Sequence, residues 1–175
     1  MKLIMQVLLF ALLLAAAPLL QAAEAVTSVP NVELDRYLGK WYEIGRLPMY
    51  WQRKCVSDTT AEYGKGEDGK ITVTNRCLHE DHKPDVVTGS AVVVPNSGNA
   101  QLKVTFFWPI SGNYWVIGLD RDYRWALVGT PNRKYLWLLS RTPVLTQADT
   151  DAALQIAHRE GYDMSEWIVT PHSQP

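Results

Sequence analysis

The sequence predicts an all-β domain with one appended helix: an eight-stranded antiparallel up-and-down β-barrel with a C-terminal α-helix packed outside it. Three observations lead there. Short apolar-rich runs recur at even spacing between Trp41 and Arg141, each closed by Gly, Pro, Asn or Asp, which is the pattern of antiparallel strands. No helical period interrupts them. A single helical pattern follows the last run, beyond Pro143.

Residues 1–25 read as an export signal and 26–175 as the domain. Lys2 supplies the positive end, Leu3 to Ala17 is apolar apart from Gln6, and Ala23-Glu24-Ala25 places small residues where a signal peptidase cuts. Against the alternative of a retained anchor, the apolar run is short for a span and Pro18 interrupts it. The segment contains no Cys to acylate. The expected product is therefore exported, periplasmic or secreted, with association to an outer membrane left open.

The first strand covers 41–47 and stops at Pro48. Strands 56–63 and 70–77 form a hairpin about Gly64-Lys65-Gly66-Glu67-Asp68-Gly69, with Tyr63 facing Gly69 and Cys55 facing Cys77. Facing residues share a side of the sheet and come within bridging distance. Export permits the bond, so a Cys55–Cys77 disulfide is expected. The alternatives are two free thiols or half a metal site; His79 and His82 follow only one of the cysteines, and no C-x-x-C is present.

Strand 85–94 turns at Pro95-Asn96-Ser97-Gly98-Asn99, and strand 101–107 is closed by Pro109 and Ser111-Gly112. Strand 114–119 turns at Asp120-Arg121-Asp122, strand 124–129 at Pro131-Asn132, and strand 135–141 ends at Pro143. Thr146 to Asp149 then resembles a capping box with Asp in place of Glu, and Gly161 sits where a helix ends in a left-handed residue. Between them Ala153, Ile156, Ala157 and Glu160 fall on one side, with Ala148 and Ala152 alongside. A short strand, 167–170, precedes a polar tail.

A closed barrel removes the two edges that an open sandwich would have to guard. Eight strands enclose either packed side chains or one small ligand. Alternation aims Gly89, Ala91 and Val93 inward on one strand, and Leu102, Val104 and Phe106 on the next. Small inward residues leave volume, which favours a cavity. Tyr114, Val116 and Gly118 share a face, as do Tyr135, Trp137 and Leu139; Glu43 and Asn75 take the inward parity. Composition narrows the occupant. With 17 basic and 18 acidic residues there is no field to hold a phosphate backbone, so no nucleic acid is expected. The 7 Trp and 8 Tyr, against 3 Phe, suit broad apolar surfaces with polar handles.

Leu38-Gly39-Lys40-Trp41-Tyr42-Glu43-Ile44, Gly118-Leu119-Asp120-Arg121-Asp122-Tyr123 and Tyr135-Leu136-Trp137-Leu138-Leu139-Ser140-Arg141-Thr142-Pro143 are three blocks in register. They resemble the G-x-W, T-D-Y and arginine blocks of the lipocalins, with Arg121 replacing the Thr of T-D-Y. The W-Y-E-I opening and L-S-R-T-P ending look like the bacterial lipocalin and apolipoprotein D subgroup. The resemblance covers essentially the whole mature chain. It implies a calyx fold with Gly39, Trp41, Asp122 and Arg141 as its structural marks. Physically, Trp41 would plug the closed end and the Arg141 guanidinium would stack on it.

The same resemblance implies binding of a small hydrophobic or amphipathic ligand, a fatty acid or lysophospholipid, in envelope lipid storage, transport or repair. Candidate contacts are Tyr114, Trp137, Val116, Leu139, Phe106, Val104, Ala91 and Asn75 on the inner wall, with Met49, Tyr50 and Trp51 as a lid over the mouth. The lid residues could instead cluster on the disulfide hairpin. Phe106-Phe107-Trp108-Pro109-Ile110 makes a second apolar loop on the same rim, suited to a membrane surface or a dimer contact; monomer and homodimer both remain open. No enzyme motif is visible, and neither metal nor cofactor is expected. Two alternatives stay open, a haem or pigment carrier using His79 or His82, and a lipocalin-fold enzyme using a free Cys.

Overall fold

Eight strands close into a barrel in the computed structural model, which describes residues 24–173. The expected export signal lies outside the described residues except for Glu24 and Ala25. A short helix α1 (Leu34–Tyr37) leads into β1 (Gly39–Arg46), β2 (Ser57–Lys65), β3 (Ile71–Leu78), β4 (Pro84–Val93), β5 (Gln101–Phe107), β6 (Ile110–Leu119), β7 (Trp125–Gly129) and β8 (Leu136–Ser140). Helix α2 (Gln147–Arg159) and a two-residue strand β9 (Ile168–Val169) complete the chain. Neighbouring strands pair antiparallel in chain order, β8 pairs β1, and β1 pairs β2 to close the ring.

Two apolar clusters flank one wall. Inside lie Trp41, Tyr63, Val73, Ala91, Leu102, Val116, Ala126, Val128 and Leu139; outside, Ile117, Leu127, Leu136 and Leu138 pack against Ala153 and Ala157 of α2. The helix starts as its sequence requires, with the Thr146 hydroxyl accepting from the Asp149 N–H at 3.1 Å. It stops at Gly161, whose φ of +78° most residues resist. The N-terminal segment crosses the closed end, buries Val32 among the inner cluster and donates from its Val29 N–H to the Val116 carbonyl at 2.8 Å.

Several boundaries and faces depart from alternation. In the β2–β3 hairpin Tyr63 faces Val73 rather than Gly69. The displacement is four residues, an even number, so every side chain keeps its face. The hairpin turn is shorter than read, because β2 runs on to Lys65. Residues Cys55 and Cys77 are nevertheless bonded, with Cα atoms 5.5 Å apart; Cys55 precedes β2 and the register shifts between Ser57 and Thr60, which brings it alongside β3. The β5–β6 turn is also tighter, with Phe107 facing Ile110 across Trp108-Pro109.

Two bulges matter more. A register shift between Val116 and Gly118 sends Gly118 outward, where an added Cβ would lie 2.8 Å from Ile156 of α2; it does not line the interior as alternation required. A second shift, between Glu43 and Gly45, turns Gly45 out against Trp167 and leaves Arg46 facing Trp137 on the inner side. Above Tyr42, β9 rather than β2 lies beside β1, pairing with Gly45 and Arg46.

The β6–β7 turn at the closed end is held by Asp120, not by the Asp122 expected to mark it. The Asp120 carboxylate accepts from the backbone N–H groups of Asp122 (3.0 Å) and Arg124 (3.2 Å) and from Arg124 Nε (3.1 Å) and Nη2 (2.8 Å). The Asp122 side chain is exposed and lies 3.7 Å from the Arg121 guanidinium. Partial burial pushes the Asp120 carboxyl up, but these donors outweigh it and hold the group below the ordinary carboxylate range. A depressed folded-state value contributes stability above the unfolded pKa of about 3.9 and loses it as the pH falls through the folded value. Asp120→Asn should therefore lower the denaturation midpoint at pH 7. The gap to wild type should narrow steadily on acidification below about pH 4. A gap independent of pH would show that the charge of Asp120 does not hold the turn.

Candidate functional site

The floor of the barrel is aromatic. Trp41 is fully buried, its indole N–H donates to the Tyr37 carbonyl at 2.8 Å, and the Arg141 guanidinium lies 3.8 Å from its ring centroid. Arg141 also donates to the carbonyls of Lys40 (2.9 Å) and Arg36 (2.6 Å), which ties the end of β8 to α1 and the start of β1. The guanidinium thus satisfies one carbonyl left open at the end of α1 and another at the start of β1 while covering an apolar ring.

Just above, three tyrosines share their hydroxyls. Tyr114 meets Tyr37 at 2.7 Å and Tyr63 at 2.8 Å. Burial raises all three phenols, so they stay protonated. Tyr114, expected as a ligand contact on the inner wall, has its hydroxyl committed to its neighbours. Tyr37 and Tyr63 escaped sequence reasoning as its partners, because Tyr37 lies on the helix before the barrel.

The wall above the floor is mostly apolar, with Asn75 among its inward residues. Ala91, Val116 and Leu139 are buried, whereas Val104, Phe106 and Trp137 pack on the inner cluster yet stay partly open. Asn75 continues the inward row of Ile71 and Val73 on β3, facing Ala61 and Val87 across the sheet. Its Oδ1 is buried without a hydrogen-bond partner.

Near the mouth a polar cluster gathers around Glu43, which keeps the inward face that alternation gives it. Glu43, only 2% exposed, accepts from Thr170 Oγ1 (2.6 Å) and Gln52 Nε2 (2.5 Å), with Arg46 Nη1 at 3.4 Å. Burial raises its carboxyl against the pull of Thr170, Arg46 and Gln52. Gln52 also accepts from the Trp137 indole N–H at 3.3 Å, so one lid residue bridges β1 and β8. No sequence signal marked Gln52 or Thr170; Arg46 became inward only through the β1 bulge.

The three residues expected as a lid part company. Met49 is buried, while Tyr50 and Trp51 face outward, Tyr50 beneath the Arg53 guanidinium (4.0 Å) and Trp51 against Tyr135 (4.6 Å between ring centroids). At the β5–β6 turn, across the barrel on the same rim, Phe107, Trp108 and Ile110 are exposed, Trp108 by 89%. The open end therefore carries an apolar rim. Two surface hollows lie outside the wall, one beside Arg141 and α2, the other beside Leu47 and Arg133.

Both cysteines are joined to each other, which leaves the free-Cys enzyme reading without its nucleophile. The disulfide likewise claims the sulfur of Cys77, His79 and Asp85, the grouping with metal-ligand spacing among the described residues. His79 bonds Asp85 at 3.2 Å and His82 is exposed, both in or beside the β3–β4 turn.

Comparison with known proteins agrees with this geometry. Residues 32–172 match the family model described as a lipocalin-like domain. The chain is 42% identical to outer membrane lipoprotein Blc of Citrobacter freundii, over 85% of each chain. It is 32% identical to apolipoprotein D of Macaca fascicularis, over 94% of this chain and 95% of that one. Among solved structures, insecticyanin of the tobacco hornworm Manduca sexta superposes with a TM-score of 0.71 over 87% of each chain at 20% identity, which shows the shared fold.

Proposed function

The chain is a lipocalin of the type represented by Blc and apolipoprotein D, and from that premise we propose that its barrel binds and carries a single-chain amphiphile, a fatty acid or lysophospholipid. The observation that carries this reading is the inner wall itself. Residues flanked by strands on both sides, Val104, Phe106, Tyr114 and Trp137, remain partly open above an aromatic floor. An acyl chain lying against them would gain about 0.8 kcal/mol per buried methylene.

A fluorescence titration tests it. Oleate or oleoyl-lysophosphatidylcholine should quench the tryptophan emission saturably, and Trp137→Ala should remove much of the response. Equal quenching of wild type and Trp137→Ala would remove Trp137 from the site; no quenching of either would overturn the binding reading. Tyr114→Phe serves as a different control. Because its hydroxyl is committed to Tyr37 and Tyr63, the change should cost about 1 kcal/mol of stability and leave the preference between headgroups unaltered. A headgroup-dependent loss of affinity would show that the ligand reaches the floor hydroxyls.

Export, with processing near residue 25, fits the same reading, and the burial of Val26 and Val32 supports it. Among the described residues no helix is long and apolar enough to cross a membrane. The exposed Tyr50, Trp51, Phe107, Trp108 and Ile110 support loading at a lipid surface, the apolar rim touching the bilayer while the mouth opens onto it. Sedimentation with anionic and zwitterionic vesicles reads this out, and binding unchanged in Trp108→Ser would overturn it.

A further inference from the structure

Among the described residues, three buried side-chain atoms of the upper wall find no hydrogen-bond partner: Arg46 Nε, Thr59 Oγ1 and Asn75 Oδ1. A buried polar atom left unpaired is costly and rare in folded proteins. All three belong to one quadrant of the interior. Thr59 is the next inward residue above Ala61 on β2, and Ala61 faces Asn75 on β3. Arg46 comes from β1 and donates through Nη2 to the carbonyls of Cys55 (3.2 Å) and Gln52 (3.3 Å). The disulfide then joins Cys55 to Cys77, two residues beyond Asn75 on β3. Arg46 and Thr59 are themselves only 5% and 6% exposed.

Resting on the proposed binding of a single-chain amphiphile, and narrowing it away from the ionised fatty acid, we propose that this quadrant reads a free hydroxyl on the uncharged head of a single-chain lipid, of the kind a monoacylglycerol carries. The chemistry of the donor set selects it. Arg46 Nε–H requires an acceptor, Asn75 Oδ1 requires a donor, and the Thr59 hydroxyl serves as either. A hydroxyl group supplies both roles with one atom. An ionised carboxylate only accepts, so it leaves Asn75 Oδ1 unpaired. It also brings a second negative charge to a site where Glu43 already balances Arg46 at 3.4 Å. The β1 bulge creates the arrangement: with strict alternation Arg46 would point to the outside of the barrel.

Three probes with the same acyl chain separate the contributions: 1-monooleoylglycerol, methyl oleate, which is uncharged but has no hydroxyl, and oleate. The intact chain should bind monooleoylglycerol about fivefold tighter than methyl oleate, or more, as one or two added hydrogen bonds allow. Asn75→Leu and Thr59→Val, both close in volume to the native residues, should abolish that difference while leaving the affinity for methyl oleate in place. Equal binding of monooleoylglycerol and methyl oleate by wild type overturns the inference. So does a preference that survives both substitutions. Binding of none of the probes overturns the carrier reading itself, and this inference with it.

Discussion

Replacing Trp41 with alanine should lower the unfolding free energy by about 3–5 kcal/mol, the range for truncating a fully buried aromatic. The ring is inaccessible to solvent, sits 5.0 Å from the Tyr37 ring and supports the Arg141 guanidinium at 3.8 Å. Its removal would open a hole at the one place where α1, β1 and the end of β8 meet. It would also strip the Tyr37 carbonyl of its donor and leave Arg141 over a void. Domains of this size are stable by only about 5–15 kcal/mol, so the loss is a large share of the total. Urea denaturation followed by far-ultraviolet circular dichroism measures it. An unchanged midpoint would show that the floor is held by something other than this ring.

Loss of the disulfide should cost about 3 kcal/mol in the chain-entropy model, given the 22-residue separation of Cys55 and Cys77. The bond does more than shorten a loop. It pins the end of the 47–56 connection to β3, and that connection supplies the Gln52 and Cys55 carbonyls that hold Arg46. Reduction should therefore loosen the mouth as well as the hairpin. The double variant Cys55→Ala, Cys77→Ala and reduced wild type should unfold at matching midpoints, both below that of the oxidised protein. If all three coincide, the bond contributes nothing measurable and the barrel closes without it.

The candidate ligand contacts divide in an instructive way. Ala91, Val104, Val116, Trp137 and Leu139 could be placed inward from alternation because it is unbroken up to each of them, and Phe106 packs on the inner cluster although the β5–β6 register shifts around it. Gly118 and Arg46 could not, since each follows a bulge and a single extra residue reverses the face. Met49, Tyr50 and Trp51 read as one apolar lid because they adjoin in sequence, yet the 3-10 turn over Tyr50–Gln52 sends Met49 inside and the two rings outside.

The strand order, the barrel, the capped helix and the disulfide were determined by the sequence alone. Side-chain alternation, turn residues and the Thr146 and Gly161 end signals act between neighbours, so they can be read along the chain. The register of β2 on β3 belongs to the same class, and it slipped by four residues without exchanging faces. The polar mouth was decided by tertiary structure. Glu43 is satisfied by Thr170, 127 positions away, and Trp137 by Gln52, 85 positions away. Those partners meet because β9 fits beside β1 where β2 departs, and because the β1 bulge turns Arg46 inward. A buried charge must find partners wherever the closed barrel brings them, and that requirement is met between strands remote in sequence.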